Sequence, residues 1–371
     1  MTQLTDSSVH ATPQDGPDPA PTAARPSARA RARAFFAFGN ISALYVFALI
    51  FVVFALWIPE TFLRWPTWRA LLDNGAVTAI AALGLLLPLS AGVFNLAIGL
   101  QVGFGSIVVG ALLIDTGVPV VPAMLITIVA GAVVGLLSGL LIVRARIDSF
   151  IATLGMSSLL AAAITLISGG EQILGAPASF VTVGTGDLLG VTYPVIFVVL
   201  IAVALWYVLE RTPLGRRVYA TGGNPDAARL AGVRTPTIVV GTLVACGAVA
   251  AFAGMLVTAR LGNADPVIGP QYLLPAFTAA FLGSTQFKGG RFNVLGTVVA
   301  VYVLAAGVKG LQLAGAPVWI PDAFNGAALL VAVALAKYQA DAGRAGAISR
   351  LLRLDRRRQR AAVPDRQEPQ A

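Results

Sequence analysis

Thr212–Val233 reads TPLGRRVYATGGNPDAARLAGV, a polar, arginine-bearing stretch set between two long apolar segments. Its second half contains the full grammar of a short helix. Asn224 is a strong N-cap residue, Pro225 suits the first helical position, and Asp226 complements the positive end of a helix. Ala227, Ala228, Leu230 and Ala231 are helix formers, and Gly232 supplies a left-handed stop. A helix of about two turns is marginal in water on its own. Capped at both ends and placed in a basic loop between apolar segments, it reads as a docking handle.

The rest of the chain explains why such a handle is needed. Of 371 residues, 57% are hydrophobic and 12% charged, against about 25% charged in a typical soluble domain. The composition belongs to a membrane protein. The net charge of +9 is concentrated in three places: Arg25, Arg29, Arg31 and Arg33, the loop after Leu209, and Arg350 through Arg360. Each cluster flanks an apolar segment, which the positive-inside rule explains. No basic folded domain is left over to bind nucleic acid. The single cysteine, Cys246, lies within an apolar segment; it allows no intramolecular disulfide and reads as a small buried hydrophobe.

Apolar segments of spanning length occur at about 36–58, 75–92, 96–114, 119–143, 150–168, 191–209, 238–259, 271–285, 293–314 and 321–337. They predict an all-α polytopic membrane protein of about ten transmembrane helices plus one short helix in the loop. Residues 1–33 read as a disordered N-terminal tail, 34–338 as the transmembrane domain, and 339–371 as a basic C-terminal tail. A long polar head precedes the first apolar run, so no cleavable signal peptide is expected. Arg144 and Arg146, Arg211 through Arg234, and Lys288 with Arg291 fall on the side of both tails. Asp115, Glu171, Asp187 and Asp265 fall on the other. That balance puts both termini in the cytoplasm, with Arg64, Arg69 and Arg260 as outer-side exceptions. Between the second and third segments, Gly92-Val93-Phe94-Asn95 allows either a tight hairpin or an unwound break. The segment near Gln271–Thr285 is short enough to be re-entrant. Gly131-x-x-x-Gly135 reads as helix packing within the chain.

The chemistry is sparse. A GxxxxGK[ST] phosphate loop is absent; in Gly283–Arg291 the lysine is followed by glycine and lacks the hydroxyl. The chain is therefore not expected to hydrolyse nucleotide. One histidine (His10) and one cysteine cannot build a metal site, and neither catalytic residues nor a cofactor are expected. Carboxylates are nearly missing from the apolar segments, which argues against an ion-coupled pump. Asn95, Gln101, Gln271 and Asn325 are the intramembrane polar residues most expensive to bury without partners, and they are the candidates for a translocation path. Such neutral groups suit a neutral, polyhydroxylated solute.

Four stretches, in order, resemble the membrane-spanning permease family of ribose-type (monosaccharide) ABC importers. They are Val93-Phe-Asn-Leu-Ala-Ile-Gly99; Phe150-Ile-Ala-Thr-Leu-Gly-Met156 with Ser168-Gly-Gly170; Gly215–Val233; and Pro266-x-x-Gly269-x-x-Tyr272-Leu-Leu with Leu282–Gly290 and Gly296-Thr297. Together they cover roughly residues 70–337. The resemblance implies a multi-pass permease subunit of the bacterial plasma (inner) membrane, surrounded by lipid and acting without nucleic acid. Its implied partners are a second permease copy (the same or a related chain), a separate ABC ATPase subunit and an extracytoplasmic substrate-binding protein. Gly223, Asn224, Pro225, Asp226, Ala227, Ala228, Arg229, Leu230 and Gly232 would form the coupling helix that meets the ATPase, with Ala228 on its apolar docking face. Arg64, Arg69 and Arg260 would face an acidic rim on the binding protein. Permeases for nucleosides or branched-chain amino acids are the neighbouring reading, and an ion-coupled secondary transporter a more distant one. Asn95 stands where the family usually has aspartate, Ala97 replaces serine, Val93 replaces glycine, and Leu159–Ala163 stand where it commonly has arginine.

Overall fold

The computed structural model describes residues 42–285 and 290–337. The two tails and Lys288 therefore lie outside the described residues. Two short elements open the described chain, α1 (Ser42–Trp57) and α2 (Pro59–Phe62). Eight helices are long and apolar enough to cross a membrane, judged by length and composition. These are α3 (Trp65–Ser90), α4 (Ile98–Gly110, prolonged by a π-turn to Asp115), α5 (Val120–Val143), α6 (Ser149–Ser168), α8 (Tyr193–Arg211), α11 (Thr235–Leu261), α13 (Val294–Leu313) and α14 (Ile320–Lys337). Between them lie α7 (Ala178–Thr185), α9 (Pro213–Gly223), α10 (Pro225–Leu230) and α12 (Leu273–Ser284).

Helix α11 is the axis of the bundle. Its 27 residues run about 40 Å, and it packs on α5, α4 and α3. Small residues make this possible on two faces. A Cβ added at Gly135 or Gly247 would fall within 3.0 Å of backbone on the facing helix, as would one at Gly254 against α4. Lipid offers no hydrophobic drive for helix association, so close backbone approach and dispersion supply the contact. The Gly131–Gly135 spacing thus serves packing between α5 and α11. Helix α13 is notched instead for aromatic rings: Phe54 of α1 fits over Gly310, and Phe324 of α14 over Gly307. Phe51, Phe62 and Trp68 complete an aromatic cluster among α1, α2 and α3, edge-to-face at Phe62 and tilted between Phe51 and Trp68.

One departure from the sequence reading, and the outcome at its two open places, follow from backbone chemistry. Helix α3 starts at Trp65, not near 75, because Pro66 suits a first helical turn and polar residues there do not oppose helix formation. It ends beside Pro88, whose ring cannot continue the bonding ladder, and Gly92 turns the chain at φ 79°. Residues 91–97 then re-enter the bundle without helical structure until Asn95 reaches Cys246, midway along α11. Because α3 and α4 scarcely touch, this is an unwound break and not a hairpin. Helix α12 has only 12 residues, about 18 Å, against about 30 Å of hydrocarbon. It follows a descending loop and a single 3-10 turn at Pro270–Tyr272, so the eighth apolar segment is half a span.

Two tiny antiparallel ladders stiffen the end remote from α9 and α10. Ile173 and Leu174 (β1) pair with Ala264 and Asn263 (β4), while Asp187 and Leu188 (β2) pair with Thr192 and Val191 (β3). Gln172 ties this first ladder to the next turn, donating to Asp265 at 2.9 Å and accepting from Asn263 at 3.1 Å.

Candidate functional site

At the basic end, the polar stretch is two helices and not one helix in a loop. The Thr212 hydroxyl accepts from Gly215 N–H and opens α9, which the low hydrophobicity of LGRRVYATGG concealed. Gly215, Val218 and Thr221 face inward. Tyr219 donates to the Phe292 carbonyl at 2.8 Å, and the Arg291 guanidinium lies 3.5 Å from its ring centroid. Burial pushes the Tyr219 hydroxyl above its usual pKa, with Arg291 pulling it part of the way back. Gly222 closes against Ser90–Gly92, where a Cβ would overlap the Ser90 carbonyl. Helix α9 is therefore wedged against both the break after α3 and the segment leading into α13.

Helix α10 forms as its sequence grammar requires. The Asn224 side-chain oxygen accepts from Asp226 N–H at 3.1 Å and Ala227 N–H at 3.0 Å. At the other end Val233 N–H bonds back to Ala228, Gly232 N–H to Arg229, and Gly232 adopts φ 82°. Gly223, Asn224, Pro225, Asp226, Ala227, Arg229, Leu230 and Gly232 are exposed, Leu230 to 91%. Ala228 is the exception, only 5% exposed. Its methyl group is buried against the body of the protein, and Leu230 is the apolar group presented outward. Beside this helix a cavity of about 610 Å³ opens between Gly92, Arg146, Gly222, Pro225 and Arg229.

The middle of the bundle is where the two irregular segments cross. Gly99 and Gly269 lie so close that a Cβ on either would meet the other's carbonyl within 3.0 Å. Backbone freed from a helix needs partners at this depth, and α6 supplies them. Phe94 N–H donates to the Ser149 hydroxyl at 3.4 Å, Leu96 N–H to the Thr153 hydroxyl at 3.0 Å, and the Ser157 hydroxyl to the Leu96 carbonyl at 3.2 Å. The Phe150–Met156 stretch thus holds the Val93–Gly99 stretch in its unwound form. Replacing Thr153 with valine keeps the shape and removes the acceptor. A loss of about 1–3 kcal/mol is expected, read as a lower melting midpoint in detergent. Thr165→Val, on the exposed side of the same helix, should leave the midpoint unchanged; equal midpoints in the two variants would rule the bracing role out.

The four candidate path residues separate into two pairs. Asn95 and Gln101 are fully buried and bonded to each other at 3.0 Å, with Asn95 also donating to Cys246 Sγ at 3.2 Å and accepting from Ala97 N–H at 3.1 Å. Gln271 and Asn325 instead line a cavity of about 430 Å³ at the end remote from α10. Its floor is the 3-10 turn at Tyr272, and its walls come from α3, α11, α13 and α14. Arg260, expected with Arg64 and Arg69 to face an acidic rim on the binding protein, is part of this wall and donates to Asn74 Oδ1 at 2.7 Å. Arg69 pairs with Asp187 at 3.8 Å. Lys309 and Asn74 also line the cavity and escaped the sequence reading. A lysine four residues inside the end of a long apolar helix, with Gln312 after it, was the available signal.

The family model described as branched-chain amino acid transport system / permease component matches residues 70–333. The ribose import permease protein RbsC of Bacillus subtilis (strain 168) is 33% identical over 267 residues, 71% of this chain and 83% of that protein. The L-arabinose ABC transporter permease protein AraH of Azospirillum brasilense is 29% identical over 327 residues, 88% of this chain and 96% of that one. The autoinducer 2 import system permease protein LsrD of Escherichia coli (strain K12) is 31% identical over 260 residues, covering 68% and 78% of the two chains. No solved structure matches.

Proposed function

The chain belongs to the ABC-importer permease family matched across residues 70–333, and on that premise we propose that it carries a monosaccharide across the bacterial inner membrane. Ribose and arabinose permeases among its relatives support the substrate class. It works as one of two permease copies, with ATP hydrolysed by a separate subunit and solute delivered by an extracytoplasmic binding protein. The arginines gathered around α9 and α10 support a cytoplasmic position for that end and for both termini. The remote cavity then opens outward and receives the solute.

The observation that carries the reading is α10 itself: a capped, exposed two-turn helix offering Leu230 to a partner while Ala228 anchors it. Closure of the ATPases pushes on α10, and α9 passes the load to the Ser90–Gly92 turn and to Phe292. Each of those points adjoins one of the two broken elements, so a single push reaches both. Packed backbone contacts at Gly222 leave little slack to absorb it.

A cysteine at position 226 tests this directly, because the native Cys246 is buried and unreactive to bulky reagents. Asp226→Cys should cross-link to the ATPase. It should react with a membrane-impermeant maleimide in inside-out vesicles and not in intact cells. Labelling of intact cells would reverse the topology and end the coupling role.

A further inference from the structure

The outer cavity has an unbalanced charge. Arg260, in the last turn of α11, and Lys309, near the end of α13, both line it, and no aspartate or glutamate does. Among the described residues neither cation forms an ion pair. Arg260 commits one of its five donors to Asn74, which leaves the others available to a ligand in the cavity it lines. Asp73, next to the lining residue Asn74, accepts a hydrogen bond from the Thr192 hydroxyl, and Asp265, which follows α11, accepts one from the Gln172 amide. Gln271, Tyr272 and Asn325 add neutral hydrogen-bonding groups below the two charges.

Cations at the edge of a membrane span, walled by Leu71, Val257 and Leu304, cost free energy unless a partner offsets them. A neutral sugar offers only ordinary hydrogen bonds to such groups. A carboxylate or phosphate offers charge-assisted ones, roughly twice as strong, and matches the arginine fork in shape. A zwitterionic amino acid would bring an ammonium for which the lining holds no acid. The volume of about 430 Å³ lies within the range of about 300–1,000 Å³ usual for small-molecule sites.

We propose that this cavity is a binding site for the oxyanion of an acidic monosaccharide, one bearing a carboxylate or phosphate, with Arg260 and Lys309 as its charge partners. The inference rests on the permease reading and narrows its substrate. It replaces the neutral solute suggested by the intramembrane amides alone.

The full-length chain in phosphatidylcholine nanodiscs provides the test, with the melting midpoint followed during titration by D-glucuronate, D-ribose 5-phosphate, D-ribose and L-leucine. At least one of the two anions should raise the midpoint, and the neutral sugar and the amino acid should not. Half-saturation should weaken about tenfold or more in Arg260→Gln and in Lys309→Gln. Arg260→Lys, which keeps the charge and loses the fork, should fall between the unmodified chain and Arg260→Gln, and Arg69→Gln, outside the cavity, should retain the whole effect. The proposal is overturned if neither anion shifts the midpoint, if D-ribose or L-leucine matches the anions, or if the shift survives both charge-removing substitutions. It is also overturned if only phosphatidylglycerol in the discs gives a rise dependent on Arg260 and Lys309, since the cations then hold a lipid headgroup. Such a failure beside an intact Asp226→Cys cross-link removes the substrate class alone; loss of the cross-link removes the permease coupling beneath it.

Discussion

Gly247→Leu should leave almost no folded protein in the membrane. A Cβ at that position falls within 3.0 Å of the Gly131 carbonyl, and the obstacle is backbone, which no change of rotamer can move aside. The reciprocal contact at Gly135 against Leu243 means that α5 and α11 would have to separate along their whole seam. Overpacking a tight core typically costs about 1–3 kcal/mol and occasionally more. Forced separation of the two most intimately packed helices puts this case at about 3 kcal/mol or above. Gly241→Leu is the matched control: it lies on the same helix, is exposed, and meets nothing within 4 Å. Helix propensity should even favour that change by about 1 kcal/mol. Size-exclusion profiles of the solubilised variants decide the matter; two equally monodisperse peaks with equal melting midpoints would show the seam to be compliant.

Leu230→Asp should behave in the opposite way, folding normally and transporting almost nothing. The side chain is 91% exposed, so the charge costs the isolated permease little. At an interface anchor, loss of about 2 kcal/mol lowers the occupancy of the coupled state about 30-fold. Uptake in whole cells should fall accordingly while the amount of permease in the membrane stays level. Ala228→Asp should also abolish uptake, but by loss of folded protein, because a carboxylate there is buried without a partner. The melting midpoint separates the two mechanisms. A Leu230→Asp variant with undiminished uptake would move the docking surface elsewhere.

Long apolar runs made the helices legible in the sequence, since spanning length is dictated by bilayer thickness and needs no knowledge of partners. Helix α10 was legible for a different reason: Asn224, Pro225 and Gly232 satisfy or terminate the helix locally, within a few residues. What stayed hidden depended on contacts far apart in the chain. Helix α9 is held by Tyr219 reaching Phe292 and Gly222 reaching Ser90, 73 residues away in the first case. The inward face of Ala228 is set by the body it packs on, not by the α10 sequence. Nothing in the sequence announces that Asn95 meets Gln101 and Cys246. Arg260 and Lys309 lie in different helices, and only the fold brings them to one cavity.

The half-length helix α12 also constrains how the chain is made. Its 12 residues cannot settle alone across a bilayer, and the bare backbone of residues 265–272 has no place in lipid. Helix α4 must already stand in the membrane to present Gly99 and Gly103, and β1 must be in place to pair with β4, before that stretch can be threaded beside them. Both precede it in the chain, so they leave the ribosome first. The order of synthesis thus sets α3, α4 and α11 in place before the half-span, and the cavity that Tyr272 floors is walled off only when α13 and α14 follow.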